Sequence, residues 1–201
     1  MSEAVTGVVL AGGESRRMGR DKAFLPWGRS TLVDHVLDAV RPLVDDVLLV
    51  VRDAGRFRRL PVRVAEDMML GGHALGGIYT GLALATTPHV FVVACDMPFV
   101  DTELAGRLIR QRRGYDLVIP RTAAAFEPLH AVYAKSCLPV IRRLLEERRY
   151  AVASLVPLVK ALVVPHGRVL PNLNTPLDYA AARSLSVPCG SDGVHPDGEA
   201  A

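Results

Sequence analysis

Two kinds of apolar pattern alternate along the chain and predict a layered α/β fold. Short continuous apolar runs, such as residues 47–51 and 89–94, are typical of strands that are buried on both faces of a sheet. Apolar residues spaced three or four apart, as in residues 31–40, predict an amphipathic helix. The same patterns predict further strands at 5–10, 62–65, 116–120, 129–134 and 161–164, and further helices at 76–85, 102–112 and 138–147.

The order and ends of these elements predict the fold class. Asp34 can complete a capping box with Thr31, Asp101 can cap the helix that follows it, and Pro176 suits the first position of one more helix. Strands and helices in alternation imply right-handed crossovers, and therefore a mainly parallel sheet with helices on both faces. Pro, Gly, Ser and acidic residues dominate from residue 186 onward, so we expect one folded domain over 1–185 and a loose tail over 186–201.

Composition and charge narrow the class of ligand. The chain has 201 residues, of which 50% are apolar, and this suits one domain with a large core. The net charge of +3 is too small to indicate nucleic-acid binding. Basic residues cluster instead at 16–22 and 52–59, which favours a local anionic ligand, although the second cluster could equally be a solvated loop.

The cysteines and the absence of a long apolar stretch favour a cytoplasmic protein. Cys95, Cys137 and Cys189 lie far apart and form no C-x-x-C pair, which argues against a disulfide framework or a zinc site. No apolar stretch approaches the roughly 18 residues of a membrane-spanning helix. Residues 1–6 lack the form of a signal peptide. We therefore expect no membrane contact.

The loop after the first strand has the composition of a phosphate site. Gly12 and Gly13 let the backbone approach a ligand closely, and three arginines and Lys22 follow within ten residues. The loop lacks the Gly-Lys-Ser/Thr of a Walker loop, and its adjacent glycines do not fit a G-x-G-x-x-G fingerprint. A tight turn with a solvated basic face is the alternative.

Two further loops leave the carboxyl ends of predicted strands, at 66–77 and 95–100, and we expect all three loops to converge on one cleft. Asp96 at the end of a buried strand is a natural Mg²⁺ ligand; alternatively, it only caps the turn before Pro98. Asp67 precedes a glycine-rich segment and could bind a ribose hydroxyl or a base edge. The alternative there is a flexible surface loop.

Two amides near the end of the chain are candidates as well. Asn172 and Asn174 lie on one side of a predicted extended segment. A plain helix N-cap would explain Asn174, but it explains Asn172 less well. The histidines lack metal-ligand spacing, and no Ser or Cys sits in a nucleophile elbow, so the sequence gives no sign of covalent catalysis.

Taken together, these segments resemble a known family. Residues 10–22 read L-A-G-G-x-S-x-R-M-G-x-D-K, a signature of nucleotidyltransferases with a Rossmann-like fold of the nucleotide-diphospho-sugar transferase type. The segments C-D-M-P-F at 95–99, E-P-L-H-A at 127–131 and N-x-N-T-P at 172–176 look like those of the molybdenum cofactor guanylyltransferases, which join GTP to molybdopterin. The resemblance spans about residues 5–182.

The resemblance implies a role for each matching residue. Leu10, Ala11 and Gly12 would contact the guanine nucleotide through backbone groups, with Gly13 at the phosphates. Asp67 would help to hold the guanosine. The remaining roles are phosphate binding by Lys22, Mg²⁺ binding by Asp96, screening of phosphate charge by Arg16 and its neighbouring arginines, and contact with the pterin by Asn172 and Asn174.

The implied reaction is the transfer of GMP from GTP to molybdenum-bound molybdopterin, with release of pyrophosphate. Mg²⁺ is the implied cofactor, and proteins that insert the finished cofactor or receive it are the implied transient partners.

Two positions depart from the family: His73-Ala74 replaces a glycine-proline pair, and Arg52 fills a polar position after the second strand. A cytidylyltransferase of the same fold, or a nucleotide-binding module without turnover, are the alternatives.

Overall fold

A computed structural model describes residues 4–12, 22–69, 71, 73–168 and 170–186. The strands are β1 Val5–Leu10, β2 Pro26–Trp27, β3 Ser30–Thr31, β4 Asp46–Val51, β5 Arg63–Glu66, β6 His89–Ala94, β7 Leu117–Arg121, β8 His130–Ala134 and β9 Ala161–Pro165. The α-helices are α1 Leu32–Val40, α2 Ala74–Leu84, α3 Thr102–Gln111, α4 Leu138–Glu146 and α5 Pro176–Ser186. Short 3₁₀ helices span Lys22–Phe24, Arg41–Leu43, Ala54–Phe57, Lys135–Cys137 and Val152–Leu158.

Seven strands form one mixed sheet in the order β5-β4-β1-β6-β8-β7-β9. β1 pairs in parallel with both β4 and β6, as β4 does with β5 and β7 with β9. β8 alone is antiparallel to its neighbours, because the short connection 122–129 from β7 contains no crossover helix. The prediction of a mainly parallel sheet is confirmed.

Helices cover both faces of this sheet, as predicted. One face packs against α1 and α3, and alternate β1 side chains such as Val9 belong to its core. The opposite face packs against α2 and α4, and Val8 belongs to that core. The predicted capping box of α1 is present, since Thr31 accepts from the Asp34 amide and Asp34 accepts from the Thr31 amide. Asp101 caps α3, as predicted.

Glycines let α2 lie directly on β1. A Cβ at Gly81 would come within 2.6 Å of Val8 Cγ1, and a Cβ at Gly77 within 3.1 Å of Leu10 Cδ2. Larger residues at these positions would therefore push the helix off the sheet. The close contact places the N-terminal end of α2 beside the carboxyl end of β1.

The sequence pattern did not predict the hairpin of β2 and β3, whose strands have only two residues each. Its turn contains Gly28 at a φ of +59°.

Helix α5 ends at Ser186, the first residue of the predicted tail, and residues 187–201 lie outside the described part of the chain. Among the described helices, none has the length and apolarity needed to cross a membrane.

Candidate active site

The carboxyl ends of four parallel strands meet at one edge of the sheet. The Cys95 amide donates to the Leu10 carbonyl oxygen at 2.9 Å, which joins the ends of β6 and β1. The Ala11 amide donates to Val50 at 2.8 Å, and the Asp67 amide donates to Val51 at 2.7 Å. The described ends of the three predicted loops therefore converge on this edge.

Lys22, Asp96 and Asn174 meet in this region. Lys22 Nζ lies 3.0 Å from Asp96 Oδ2 and 3.4 Å from Asn174 Oδ1. The exposed fractions of the Lys22 and Asp96 side chains are 16% and 21%, so the ion pair is partly shielded yet reachable from solvent. Three segments that are distant in sequence thus place an ammonium, a carboxylate and an amide together.

A second capping box holds Asn174 in place. Asp178 Oδ2 accepts from the amides of Asn174 at 2.9 Å and Thr175 at 2.8 Å, and Thr175 Oγ1 accepts from the Asp178 amide at 3.1 Å. These hydrogen bonds hold the pKa of Asp178 below its ordinary value, and the positive charge of Lys22 adds to the effect. Thr175 is therefore the capping residue of α5, and the interpretation of Asn174 as a plain N-cap is wrong.

Aromatic packing fixes α5 against the rest of the site. The Trp27 ring contacts Phe99 with ring centroids 5.9 Å apart and Tyr179 with centroids 6.3 Å apart. The Tyr179 hydroxyl donates to the Pro26 carbonyl oxygen. The Leu173 amide also donates to the Asp96 carbonyl oxygen at 2.9 Å, so the Asn174 segment is tied to the end of β6.

Asp67 lies at the carboxyl end of β5, away from the Lys22 cluster, and hydrogen bonds from residues close to it in sequence hold its side chain. Its Oδ1 accepts from the Met69 amide at 3.0 Å and from Thr80 Oγ1 at 2.7 Å. A Cβ at Gly76 would lie 3.5 Å from Asp67 Oδ2, so that the carboxylate rests against the first turn of α2. This half-buried carboxylate is fixed in direction before any ligand arrives.

Leu10 and Gly12 line the space between these two sides. The Leu10 side chain packs against Gly77, and the position of a Cβ on Gly12 would be 3.6 Å from Arg52 Cγ. The methylenes of Arg52 therefore cover Gly12 on one side. Arg52, one of the two positions that depart from the family, therefore places its aliphatic stem beside the start of the loop that follows β1.

The other predicted site residues divide into two groups. Asn172 is exposed, two residues before Asn174 on the same segment. Arg16 and Gly13 lie outside the described residues.

His130, from the E-P-L-H-A segment, is completely buried. Its Nε2 contacts the Asp101 carbonyl oxygen, its ring meets Phe91 edge-on, and burial lowers its pKa to about 4. It is therefore neutral at physiological pH.

Sequence reasoning missed two residues that support the site, Thr80 and Asp178. Thr80 fixes Asp67, but a buried helical threonine carries no signal that identifies such a partner. Asp178 could have been found, because Thr175 and Asp178 have the same spacing as the predicted box of Thr31 and Asp34.

The residues at this edge fit Mg²⁺ better than a metal held by protein alone. The described residues contain no group of three His, Cys, Asp or Glu side chains that could hold a metal ion. A single carboxylate, Asp96, stands at the end of β6 beside the Lys22 ammonium. Mg²⁺ commonly takes one or two carboxylates and completes its shell with substrate phosphates and water.

Comparison with known proteins shows the family of this chain. Residues 7–162 match the family model of the MobA-like NTP transferase domain. The probable molybdenum cofactor guanylyltransferase of Pelotomaculum thermopropionicum is 36% identical over 190 residues, covering 90% of this chain and 93% of that protein. The molybdenum cofactor guanylyltransferase of Desulfosudis oleivorans is 33% identical over 169 residues, covering 83% and 84%.

A solved structure has the same architecture. The molybdopterin-guanine dinucleotide biosynthesis protein A of Archaeoglobus fulgidus superposes with a TM-score of 0.78 at 25% identity, covering 90% of this chain and 97% of that chain. Fold and matched domain together define an α/β nucleotidyltransferase. Within that class, the chain belongs to the MobA-like NTP transferase family.

Proposed function

We propose that this chain transfers GMP from GTP to molybdenum-bound molybdopterin and releases pyrophosphate. The observation that carries the proposal is the meeting of Lys22, Asp96 and Asn174 at the carboxyl ends of the parallel strands. Ligands of open α/β sheets bind at this edge. The relatives that match most of this chain in sequence carry the name of this activity.

The nucleotide would occupy the space between Asp67 and Lys22. Leu10, Ala11 and Gly12 would contact the guanine base through backbone groups that the sheet does not already use, and Asp67 would accept from the guanosine. Lys22 would bind the triphosphate, together with Gly13 and Arg16 of the same loop. A phosphate at Lys22 would compete with Asp96 for the ammonium, so we expect this ion pair to lengthen when GTP binds.

The acceptor would lie on the α5 side of Lys22. Asn174 and Asn172 would pair their amide groups there with the donors and acceptors of a pterin ring. Two negatively charged substrates must come together between these surfaces. Lys22 is therefore central to the proposal, because its ammonium neutralises charge at the point where the two substrates meet.

The chemistry needs no strong base, because a phosphate monoester is already anionic near neutral pH. An oxygen of the terminal phosphate of molybdopterin forms a bond to the α-phosphorus of GTP. The bond from that phosphorus to the oxygen bridging the β-phosphate breaks, and pyrophosphate leaves with the electron pair. Asp96 would hold Mg²⁺, which when bound draws charge from the phosphate oxygens.

Pyrophosphate release tests the proposal. Purified protein is incubated with molybdate-loaded molybdopterin, Mg²⁺ and one nucleoside triphosphate at a time. We expect release with GTP only when the acceptor is present, and loss of release in Asp96→Asn. Release with CTP instead of GTP would identify a cytidylyltransferase, and GTP binding without release would identify a binding module.

The proposal includes the cellular location of the reaction. We place it in the cytoplasm, since the sequence offers neither a disulfide framework nor a membrane-spanning stretch. The product would pass to proteins that insert it into molybdoenzymes.

A further inference from the structure

His73, which replaces a glycine of the family pattern, stacks on Tyr150. The two rings are stacked, with centroids 3.8 Å apart and planes 12° from parallel. His73 precedes the first turn of α2, and Tyr150 lies in the segment that follows α4. Tyr150 is 38% exposed, so burial alone does not account for the position of its ring.

The topology places this pair at the carboxyl edge of the sheet. α2 follows β5, which is parallel to β4 and β1, so α2 begins at that edge. β8 runs in the opposite direction, and α4 after it returns to the same edge before residue 150. Because α2 and α4 pack against each other, the stack joins the start of one helix to the end of its neighbour.

The turn that contains His73 is built around this ring. A Cβ on Gly71, which has a φ of +118°, would lie 3.0 Å from the imidazole, so a side chain there would displace it. The His73 carbonyl oxygen accepts from the amides of Gly76 at 3.0 Å and Gly77 at 3.2 Å.

These two glycines contact the predicted nucleoside site directly. Gly76 borders the Asp67 carboxylate, and Gly77 borders the Leu10 side chain. A shift of the His73 turn is therefore transmitted to both Asp67 and Leu10 within one helical turn.

We propose that His73 and Tyr150 form an aromatic clasp that positions the nucleoside side of the active site. The clasp anchors the start of α2 to the end of α4 and so fixes Asp67 and Leu10 against the incoming guanosine. Both residues are positioning residues, and their assignment to guanosine rests on the proposed function. A glycine in place of His73 would leave this turn without the anchor.

The kinetic test removes each ring in turn. We expect His73→Ala and Tyr150→Ala each to raise the KM for GTP about two- to tenfold, the range for loss of one aromatic pair, with kcat changed less than twofold. Tyr150→Phe and His73→Phe keep a ring and should restore the KM. The double alanine variant should be no worse than either single variant, because one interaction is lost in all three.

Tyr115 provides the matched control. It is a half-buried tyrosine before β7, at the opposite edge of the sheet, where Lys160 lies over its ring. Tyr115→Ala removes the same aromatic group and should leave the KM for GTP unchanged.

Hydrogen exchange without substrates gives a measurement that does not depend on turnover. We expect the amides of Gly76 and Gly77 to exchange faster in Tyr150→Ala than in the unmodified protein or in Tyr150→Phe. Unchanged exchange in Tyr150→Ala, or faster exchange with an unchanged KM, would overturn the clasp. If the unmodified protein releases no pyrophosphate from GTP, the proposed function fails, and the exchange measurement still decides whether the clasp exists.

Discussion

The two sides of the carboxyl edge are built in different ways. On the proposed phosphate side, Lys22 reaches Asp96 and Asn174, which are 74 and 152 residues away in sequence. On the proposed nucleoside side, the Asp67 carboxylate is held by groups only 2 and 13 residues away. One side is assembled by tertiary contacts, whereas the other is completed within the β5–α2 unit.

This difference indicates which groups respond to a ligand. Asp67 Oδ1 already accepts hydrogen bonds from the Met69 amide of its loop and from Thr80 of α2, so its carboxylate is held in one orientation. Lys22 and Asp96 form a hydrogen-bonded ion pair. Lys22 can exchange this carboxylate for a phosphate, and Asp96 can exchange the ammonium for another cation. We therefore expect substitutions on the phosphate side to impair turnover most, and those on the nucleoside side to impair discrimination.

The largest effect is expected from Asp96→Asn. The amide keeps the volume but loses the charge that faces Lys22 and would hold Mg²⁺, so turnover should fall by about 10²–10³-fold or more. The melting temperature should change little, because the hydrogen bond from Leu173 goes to the Asp96 backbone. Steady-state kinetics over a Mg²⁺ titration measures the effect. Near-normal turnover with unchanged Mg²⁺ dependence would show that Asp96 does not hold the metal ion.

Lys22→Ala should follow. It removes the ammonium from the point where the phosphates would meet, so we expect weaker GTP binding and a kcat lower by about tenfold or more. Arg59→Ala is the control, since Arg59 is exposed on the loop before β5. Binding and turnover measured for both variants at two salt concentrations separate local contact from general charge. Equal losses would show that the first loop is not the phosphate site.

On the nucleoside side, we predict a preference for GTP over CTP of at least about tenfold in kcat/KM, roughly 1.4 kcal/mol. Guanine and cytosine present different donor and acceptor patterns, and fixed backbone groups cannot satisfy both. Gly12→Ala adds a methyl group at an ordinary contact distance of 3.6 Å from Arg52 Cγ, so we expect the fold to tolerate the substitution. The same methyl group would reduce the space for a purine base.

Combining Gly12→Ala with Leu10→Thr should erode this preference, since the leucine also packs against Gly77. The two nucleotides are compared in competition, with each single substitution as a control. A preference for CTP in the unmodified protein would contradict the guanine assignment and leave the fold and Asp96 unaffected.

Local patterns predicted most of the fold. The apolar runs located the seven strands of the main sheet, and the Thr31 and Asp34 spacing located the start of α1. The convergence of the loops followed from the parallel order of the strands. The hairpin of β2 and β3 was missed because two-residue strands carry no periodicity.

Partners across the molecule were harder to predict. Asp96 was predicted as a site residue from its place at the end of β6, but nothing local indicates that Lys22 would reach both Asp96 and Asn174. The stack of His73 on Tyr150 and the hydrogen bond from Thr80 to Asp67 depend on how the helices pack. The spacing of apolar and polar residues along the chain does not predict such contacts.

The smallest predicted effect distinguishes a positioning role from ordinary capping. Asp178 and Asp34 each complete a Thr-x-x-Asp box, but only Asp178 also accepts from the amide of Asn174. Asp178→Asn and Asp34→Asn should each lower the melting temperature by a few degrees at neutral pH. Only Asp178→Asn should raise the KM for molybdopterin, by about two- to fivefold, as expected for one weakened hydrogen bond.

Acidification provides an independent check on Asp178. Because its folded pKa is lowered from 3.8, its contribution to stability is present above that value and is lost as the pH falls through the folded pKa. The stability difference between the unmodified protein and Asp178→Asn should therefore be constant near neutral pH and shrink below about pH 4. Thermal unfolding across this range measures it. If Asp34→Asn raised the KM for molybdopterin as much as Asp178→Asn does, the effect would come from general loss of stability, and Asp178 would be an ordinary cap.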